Sequence, residues 1–265
     1  MTEDRSWFWI VVVLIAALAL GGWIYYARQR VAATARTHAV QTAAPTAASG
    51  TVHAERAPSP ATSAVAPLPA LSDDGAIMHS LTALPGASAL GKLLRPPLLI
   101  QHIVATVIAL PGRSLGEGIL PVHRPSGAFQ VSTADGHADI AYGNATRYEP
   151  YVQLIDSVPV GALVAWYRSM YPLFQQAYQG LGYPHGAFND RLIATIDNLL
   201  AAPDRATPPR LVRGPHGTWN FANPALQGLS IGQRMLLRTG AADEATIKGK
   251  LRAMRAELVA GEPRH

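Results

Sequence analysis

Tyr183 to Arg191 reads YPHGAFNDR, with polar Asn189, Asp190 and Arg191 directly after a glycine-rich turn at the expected start of a helix. There they can cap the helix, pair with one another, or point into a cleft as acid, amide and anion anchor. His185 stands in the turn, and Arg168, Arg191, Arg234 and Arg238 are the available charge partners. Upstream, Val164, Tyr167, Tyr171, Phe174, Tyr178 and Leu181 recur at spacings of three and four, which places them on one helical stripe. Such a stripe reads first as a core face whose hydroxyls find partners at its edge. The alternative is an aromatic wall facing a ligand. The candidate binding set is therefore Tyr171, Tyr178, Tyr183, His185, Asn189, Asp190, Arg191 and Arg234.

Other constellations fall short of a reaction. Asp190 and Asp197 share a helix face at about 10 Å of axial separation. That is too wide for a retaining glycosidase pair of about 5 Å and loose for an inverting one. Solvated or ion-paired acids are the better reading. His137 and Asp139 share one strand face, but two ligands do not make a metal site, and none is expected. His102 lies in an apolar run and reads as a core or boundary histidine. Ser88 and Lys92 are four apart, where the penicillin-binding motif needs three. No Gly-x-Ser-x-Gly, His-Glu-x-x-His or phosphate loop occurs. With no cysteine, disulfides, thiolate catalysis and Cys-based zinc sites are excluded. No catalytic residue and no cofactor are assigned.

The elements that must position these residues follow from caps and periodicity. Ser72-Asp73-Asp74 starts a short helix to about Leu84, stopped by Pro85-Gly86. Pro96-Pro97 opens an apolar helix containing Leu98, Leu99, Ile100, Ile103, Val104, Val107 and Ile108, ending at Pro111-Gly112. Phe129 to Tyr142 alternates around Asp135-Gly136 and predicts a hairpin. Pro159 opens the longest helix, to about Leu181, with Pro172 expected to kink or divide it. Ala187 to Ala201 follows, with Phe188, Leu192, Ile196 and Leu199 inward. Arg210 to Arg213 and Trp219 to Phe221 suggest a second hairpin. Ser230 begins a helix to Arg238, and Asp243-Glu244 open the last one. Lys248, Lys250, Arg252 and Arg255 on that last helix read as a solvated basic face, or as a docking face for anionic lipid or polymer. The expected fold is mainly α with one or two small β-hairpins.

At the other end, Trp7 to Tyr26 is twenty residues without a charge. As a helix it spans roughly 30 Å, the thickness of a bilayer core. Trp7 and Trp9 at one end, and Trp23, Tyr25 and Tyr26 at the other, fit an aromatic belt at both interfaces. The preceding MTEDRS carries two acids against one Arg and the apolar run is long, so an anchor is favoured over a cleaved signal peptide. Residues 27–71 are rich in Ala, Thr, Ser and Pro and read as a disordered linker. The proposed division is thus a tail 1–6, a transmembrane helix 7–26, the linker 27–71, a domain 72–260 and a tail 261–265. Lys and Arg from residue 72 onward number 17 against 14 Asp and Glu, a balance of +3 that gives no nucleic-acid footprint. Arg28, Arg30 and Arg36 after the apolar run favour a cytoplasmic C-terminal side, whereas a long tether suits a periplasmic domain. The periplasmic placement is preferred.

The stretch YRSMYPLFQQAYQGLGYPHGAFNDRLIATIDNLL, from Tyr167 to Leu200, resembles the bacterial membrane-anchored family catalogued as domain of unknown function 3014. Leu211-Val212-Arg213, Trp219-Asn220-Phe221, Asn223-Pro224, Leu229-Ser230, Gly232-Gln233 and Leu236-Leu237-Arg238 fit it in the same order, over about residues 70–258. Asn223 and Gln227 stand where acids are expected, so a charge-dependent contact there is not carried over. The resemblance implies an anchor, a linker and a domain, and no activity. The expected function is a non-enzymatic scaffold or adaptor of the inner membrane and envelope, bound to the bilayer through residues 7–26 and to an envelope protein or cell-wall polymer through its domain. The alternatives are a hydrolase or transferase acting on wall glycan or peptide, with Asp190 or Asp197 as acid, and a cytoplasmic-facing regulator. Oligomeric state is not assigned.

Overall fold

The computed structural model describes residues 67–134 and 136–260. The expected anchor, most of the linker and the C-terminal tail lie outside them. No helix among the described residues is long and apolar enough to cross a membrane.

Helix α1 (Asp74–Thr82) starts where Asp73 accepts the Ala76 N–H at 2.9 Å. Its stop depends on Gly86, at φ +74°, whose missing Cβ leaves room for the Ser157 carbonyl. The Ser157 hydroxyl donates to the Gly86 carbonyl at 2.9 Å across that approach. A one-turn helix α2 (Leu90–Leu93) leads to α3 (Leu99–Ala109). Leu98, expected inside α3, instead sits before it at φ +64° and is exposed. The two N–H groups entering α3 bind Asp74 of α1, an acceptor from another element that local spacing does not reveal.

The predicted hairpin is β1 (Val131–Ala134) with β2 (His137–Ile140), in register Ala134↔His137. The second is β3 (Arg210–Arg213) with β4 (Trp219–Phe221). They are not separate: Ala138↔Leu211 and Asp139↔Arg210 join them into one antiparallel sheet, β1-β2-β3-β4.

Helix α4 (Asn144–Ser157) has no counterpart in the sequence reading, because Pro150 interrupts an already polar pattern. Tyr148, Tyr151, Leu154 and Ile155 bury its inner side. Helix α5 (Val160–Gly180) runs through Pro172 without dividing. Packing on both sides of the proline outweighs a cost of about 3 kcal/mol: Tyr167 and Phe174 are fully buried with centroids 5.2 Å apart. Leu181, expected on the buried stripe, caps α5 and is exposed. Helix α6 (Phe188–Leu200) buries Phe188, Leu192, Ile196 and Leu199 as expected. A one-turn helix α7 (Pro224–Gln227) precedes α8 (Ile231–Leu237) and α9 (Ala241–Ala260).

Two cores result. The larger joins the helices around α3, α5 and α6. The smaller, under the sheet, holds Leu211, Phe221, Leu226 and Leu237. Helix α8 serves both, with Met235 and Leu236 in the large core and Leu237 in the small one. Its N-terminus carries a full capping box between Ser230 and Gln233.

The predicted basic face of α9 is solvated only in part: Arg252 is exposed, whereas Lys248 turns inward. Lys248 is buried at 1% exposure, 2.6 Å from the Ala202 carbonyl, 2.5 Å from Asp204 and 2.7 Å from Glu244. Lys250 donates to the carbonyls of Asp156 and Val158, and Arg255 pairs with Asp197. These cations hold the loop after α6, the end of α4 and α6 itself against α9.

Candidate functional site

The turn between α5 and α6 gathers most of the expected site residues. Tyr178, in the last turn of α5, stacks on Tyr183 with centroids 4.6 Å apart and planes 3° from parallel. The Arg191 guanidinium lies 5.5 Å from the Tyr183 centroid on a cation–π contact. Gly186 permits this arrangement, because a Cβ there would stand 3.1 Å from the Tyr178 ring. Tyr183 and Arg191 are half-buried, while His185 and Asp190 are exposed.

Asn189, Asp190 and Arg191 lie inside the first turn of α6, past its N-cap residue Ala187. Helix α6 has no side-chain N-cap from Ala187, and Gln175 of α5 serves instead. Its Oε1 accepts the Phe188 N–H at 2.9 Å and the Tyr171 hydroxyl at 3.0 Å, while its Nε2 donates to the Gly186 carbonyl at 2.8 Å. Gln175 was missed by the sequence reading. Its one signal is the i+4 spacing from Tyr171, which lines both up toward the turn.

The phenols around this helix start are held in their protonated form. Burial raises the Tyr171 pKa, against the nearby backbone N–H groups of Asn189 and Phe188, and the Asp190 charge adds to the rise. Tyr167 is pushed well above the ordinary range, by burial first and then by Tyr171 and Asp190. Its hydroxyl is buried and meets no hydrogen-bond partner among the described residues. Neither phenol is poised as a base or nucleophile.

The acids are apart in role as well as in space. Asp197 takes both Nε and Nη2 of Arg255, the second at 3.1 Å, as the ion-paired reading expected. Asp190 has no ion pair among the described residues and sits in the first turn of α6, where a carboxylate suits the helix dipole. Its presumed arginine partners mostly lie elsewhere: Arg168 donates to the Glu257 carbonyl, Arg234 to Arg113, and Arg238 to Trp219. Arg234, expected in the candidate binding set, therefore belongs to a different cluster. Asn223 caps α7 by accepting the Ala225 N–H, and Gln227 accepts the Phe221 N–H at the end of β4.

Around the sheet, arginines meet aromatic rings. Arg213 lies 3.9 Å from the Trp219 centroid, and Arg238 lies 5.1 Å from Phe221. Arg147 reaches the Ser126 and Gly127 carbonyls and Asn144. A groove of about 640 Å³ opens beside β2 and β3, lined among others by Asp139, Arg205, Arg210 and Asn223. Asp139 faces that groove at the sheet, and no group of three or more possible metal-ligating side chains occurs among the described residues.

The chain matches the family described as "Protein of unknown function (DUF3014)" over residues 99–255, from the first turn of α3 into α9. No curated protein and no solved structure matches it. That span is more than half of the 265 residues and includes the whole Tyr178–Tyr183–Arg191 turn; the chain belongs to the DUF3014 family.

Proposed function

We propose that this chain is a non-enzymatic scaffold or adaptor of the bacterial envelope. Residues 7–26 anchor it in the inner membrane, and the linker carries the domain into the periplasm to bind an envelope protein or the wall polymer. One observation carries the reading: Asp197, half of the only helix-face acid pair considered for hydrolysis, is bound by Arg255. Both oxygens of that carboxylate are taken up by the ion pair that ties α6 to α9, which supports a structural role for it. The Tyr178–Tyr183–Arg191 stack offers instead a stiff, half-buried aromatic and cationic surface of the kind that anchors protein contacts.

Asp190 is the one support for a wall hydrolase or transferase, since it is exposed beside the Tyr167 and Tyr171 phenols. The test is a pair of reporter fusions after His265, one active only in the periplasm and one only in the cytoplasm, with turnover assays on wall glycan and peptide. A periplasmic signal without turnover is the expected result. A cytoplasmic signal would leave the regulator reading, and turnover lost on Asp190→Asn would replace the scaffold with an enzyme.

A further inference from the structure

The cations of α9 and those beside the sheet are treated differently by this fold. Lys248, Lys250 and Arg255 each have a carboxylate within 4 Å. Arg113, after α3, and Arg234, on α8, have no carboxylate partner among the described residues. They are nonetheless held together. The Arg234 Nη2 donates to the Arg113 carbonyl at 2.6 Å, and the Arg113 Nη1 donates to the Gly228 carbonyl at the end of α7.

The backbone beneath them is fixed. Ile231 and Gly232 at the start of α8 donate to the Gly112 and Leu110 carbonyls at 2.7 and 3.0 Å. A Cβ at Gly232 would run into the Leu199 side chain and stand 3.2 Å from the Leu110 carbonyl, so the loop seats directly on the helix. Both guanidiniums are therefore placed by main-chain geometry, with much of the ordering entropy of a binding site already lost.

A structural staple accounts for the two carbonyl contacts and leaves two facts unexplained. The Arg234 Nε is buried and has no acceptor among the described residues. A buried donor without a partner is costly unless something else completes it. The two charges also disfavour each other: burial first, and Arg113 second, lower the Arg234 pKa. Arg238, the residue that ends α8, is lowered to about 10 by burial and then by Arg234.

We infer that Arg113 and Arg234 form a site for a phosphate-class dianion. One carboxylate would balance one guanidinium, whereas a phosphate monoester of about −1.5 to −2 charge balances both. Free phosphate and a phosphorylated headgroup or polymer share this chemistry. The site is independent of the scaffold reading: it stands or falls with these two arginines, whichever way the domain faces.

The test is isothermal titration of inorganic phosphate, then of glycerol phosphate, into the full chain in mild detergent, with chloride at matched ionic strength as control. Saturable phosphate binding is expected, weakened about tenfold or more by Arg113→Gln and by Arg234→Lys. Arg113→Gln guards against misfolding, since Arg113 is exposed and its removal lifts the charge repulsion. Its melting temperature in anion-free buffer should not fall. Glycerol phosphate binding as tightly as phosphate points to a headgroup or polymer, and phosphate alone points to the free ion; both support the site. Binding no stronger than chloride, or binding that survives both substitutions, overturns it.

Discussion

Asp74 caps a helix it does not belong to: its carboxylate accepts the backbone N–H groups of Leu98 and Leu99, each at 2.8 Å, at the entrance of α3. It thereby ties α1 to the helix at the centre of the large core. Asp74→Ala should cost about 1–2 kcal/mol, the upper part of the range for a lost cap, because two donors are orphaned. Asp73→Ala, which removes only the local cap of α1, should cost about 1 kcal/mol. Urea unfolding at neutral pH measures both. An Asp74→Ala midpoint equal to wild type would show that α3 is held by burial alone.

Lys248 gives a larger effect. Its ammonium joins Ala202, Asp204 and Glu244 at 1% exposure, and the Glu244 side chain is 5% exposed. Lys248→Ala leaves Glu244 charged and buried without its cation, at a cost of about 3–5 kcal/mol. Burial already raises the Glu244 pKa against the pull of Lys248, which marks the carboxylate as poorly solvated. The double variant Lys248→Met with Glu244→Gln should recover much of the loss, since replacing both charges removes the desolvation cost. Thermal melts of the three chains decide it; a double variant as unstable as the single one would place the stability in the Asp204 contact.

What local pattern determines was legible. Helix α6 declares itself through Phe188, Leu192, Ile196 and Leu199 at helical spacing between a Gly-Pro turn and Pro203. The two hairpins carry their own turn chemistry. What escaped depends on partners distant in the chain. The pairing of Ala138 with Leu211 is invisible to strand periodicity, and the burial of Lys248 depends on a carbonyl 46 residues away. A lysine on an exposed-looking helix face reads as solvated until that acceptor is known. At the site, the aromatic stripe announced Tyr178, but the capping role fell to Gln175, a residue with no motif of its own. Arg234 was grouped with Asp190 by charge alone, and the fold sends it to Arg113.

The stack at the α5–α6 turn separates structure from binding. Tyr183→Ala removes a ring in contact with both Tyr178 and Arg191, losing about 0.5–1.5 kcal/mol of ring contact beyond the buried area. Arg191→Ala should lose no more than about 1 kcal/mol. Tyr183→Phe keeps the ring and should unfold with the wild-type midpoint. If Tyr183→Phe nonetheless abolishes a photocrosslink formed from the neighbouring turn in cells, the hydroxyl contacts the partner directly. A stability loss on Tyr183→Phe would instead assign the hydroxyl to the fold.

His102 sets an acid limit on α3. The imidazole is half-buried, and its Nδ1 is a buried atom with no hydrogen-bond partner among the described residues. Burial lowers its pKa from 6.5, the Arg95 charge lowers it further, and the Asp74 carboxylate opposes both. The unfolded chain thus takes up the proton at a higher pH than the folded one. Stability from this residue is fully present above pH 6.5 and is lost as pH falls below it toward the folded value. His102→Gln should flatten that part of the stability curve, measured as urea midpoints across roughly pH 5 to 8. Asp74→Ala should steepen it by removing the one charge that favours the imidazolium, and an NMR titration of His102 in that variant should show a midpoint below the wild-type one. A midpoint above 6.5 in the wild-type chain would mean that Asp74 outweighs burial and Arg95 together, and the sign of the pH dependence would reverse.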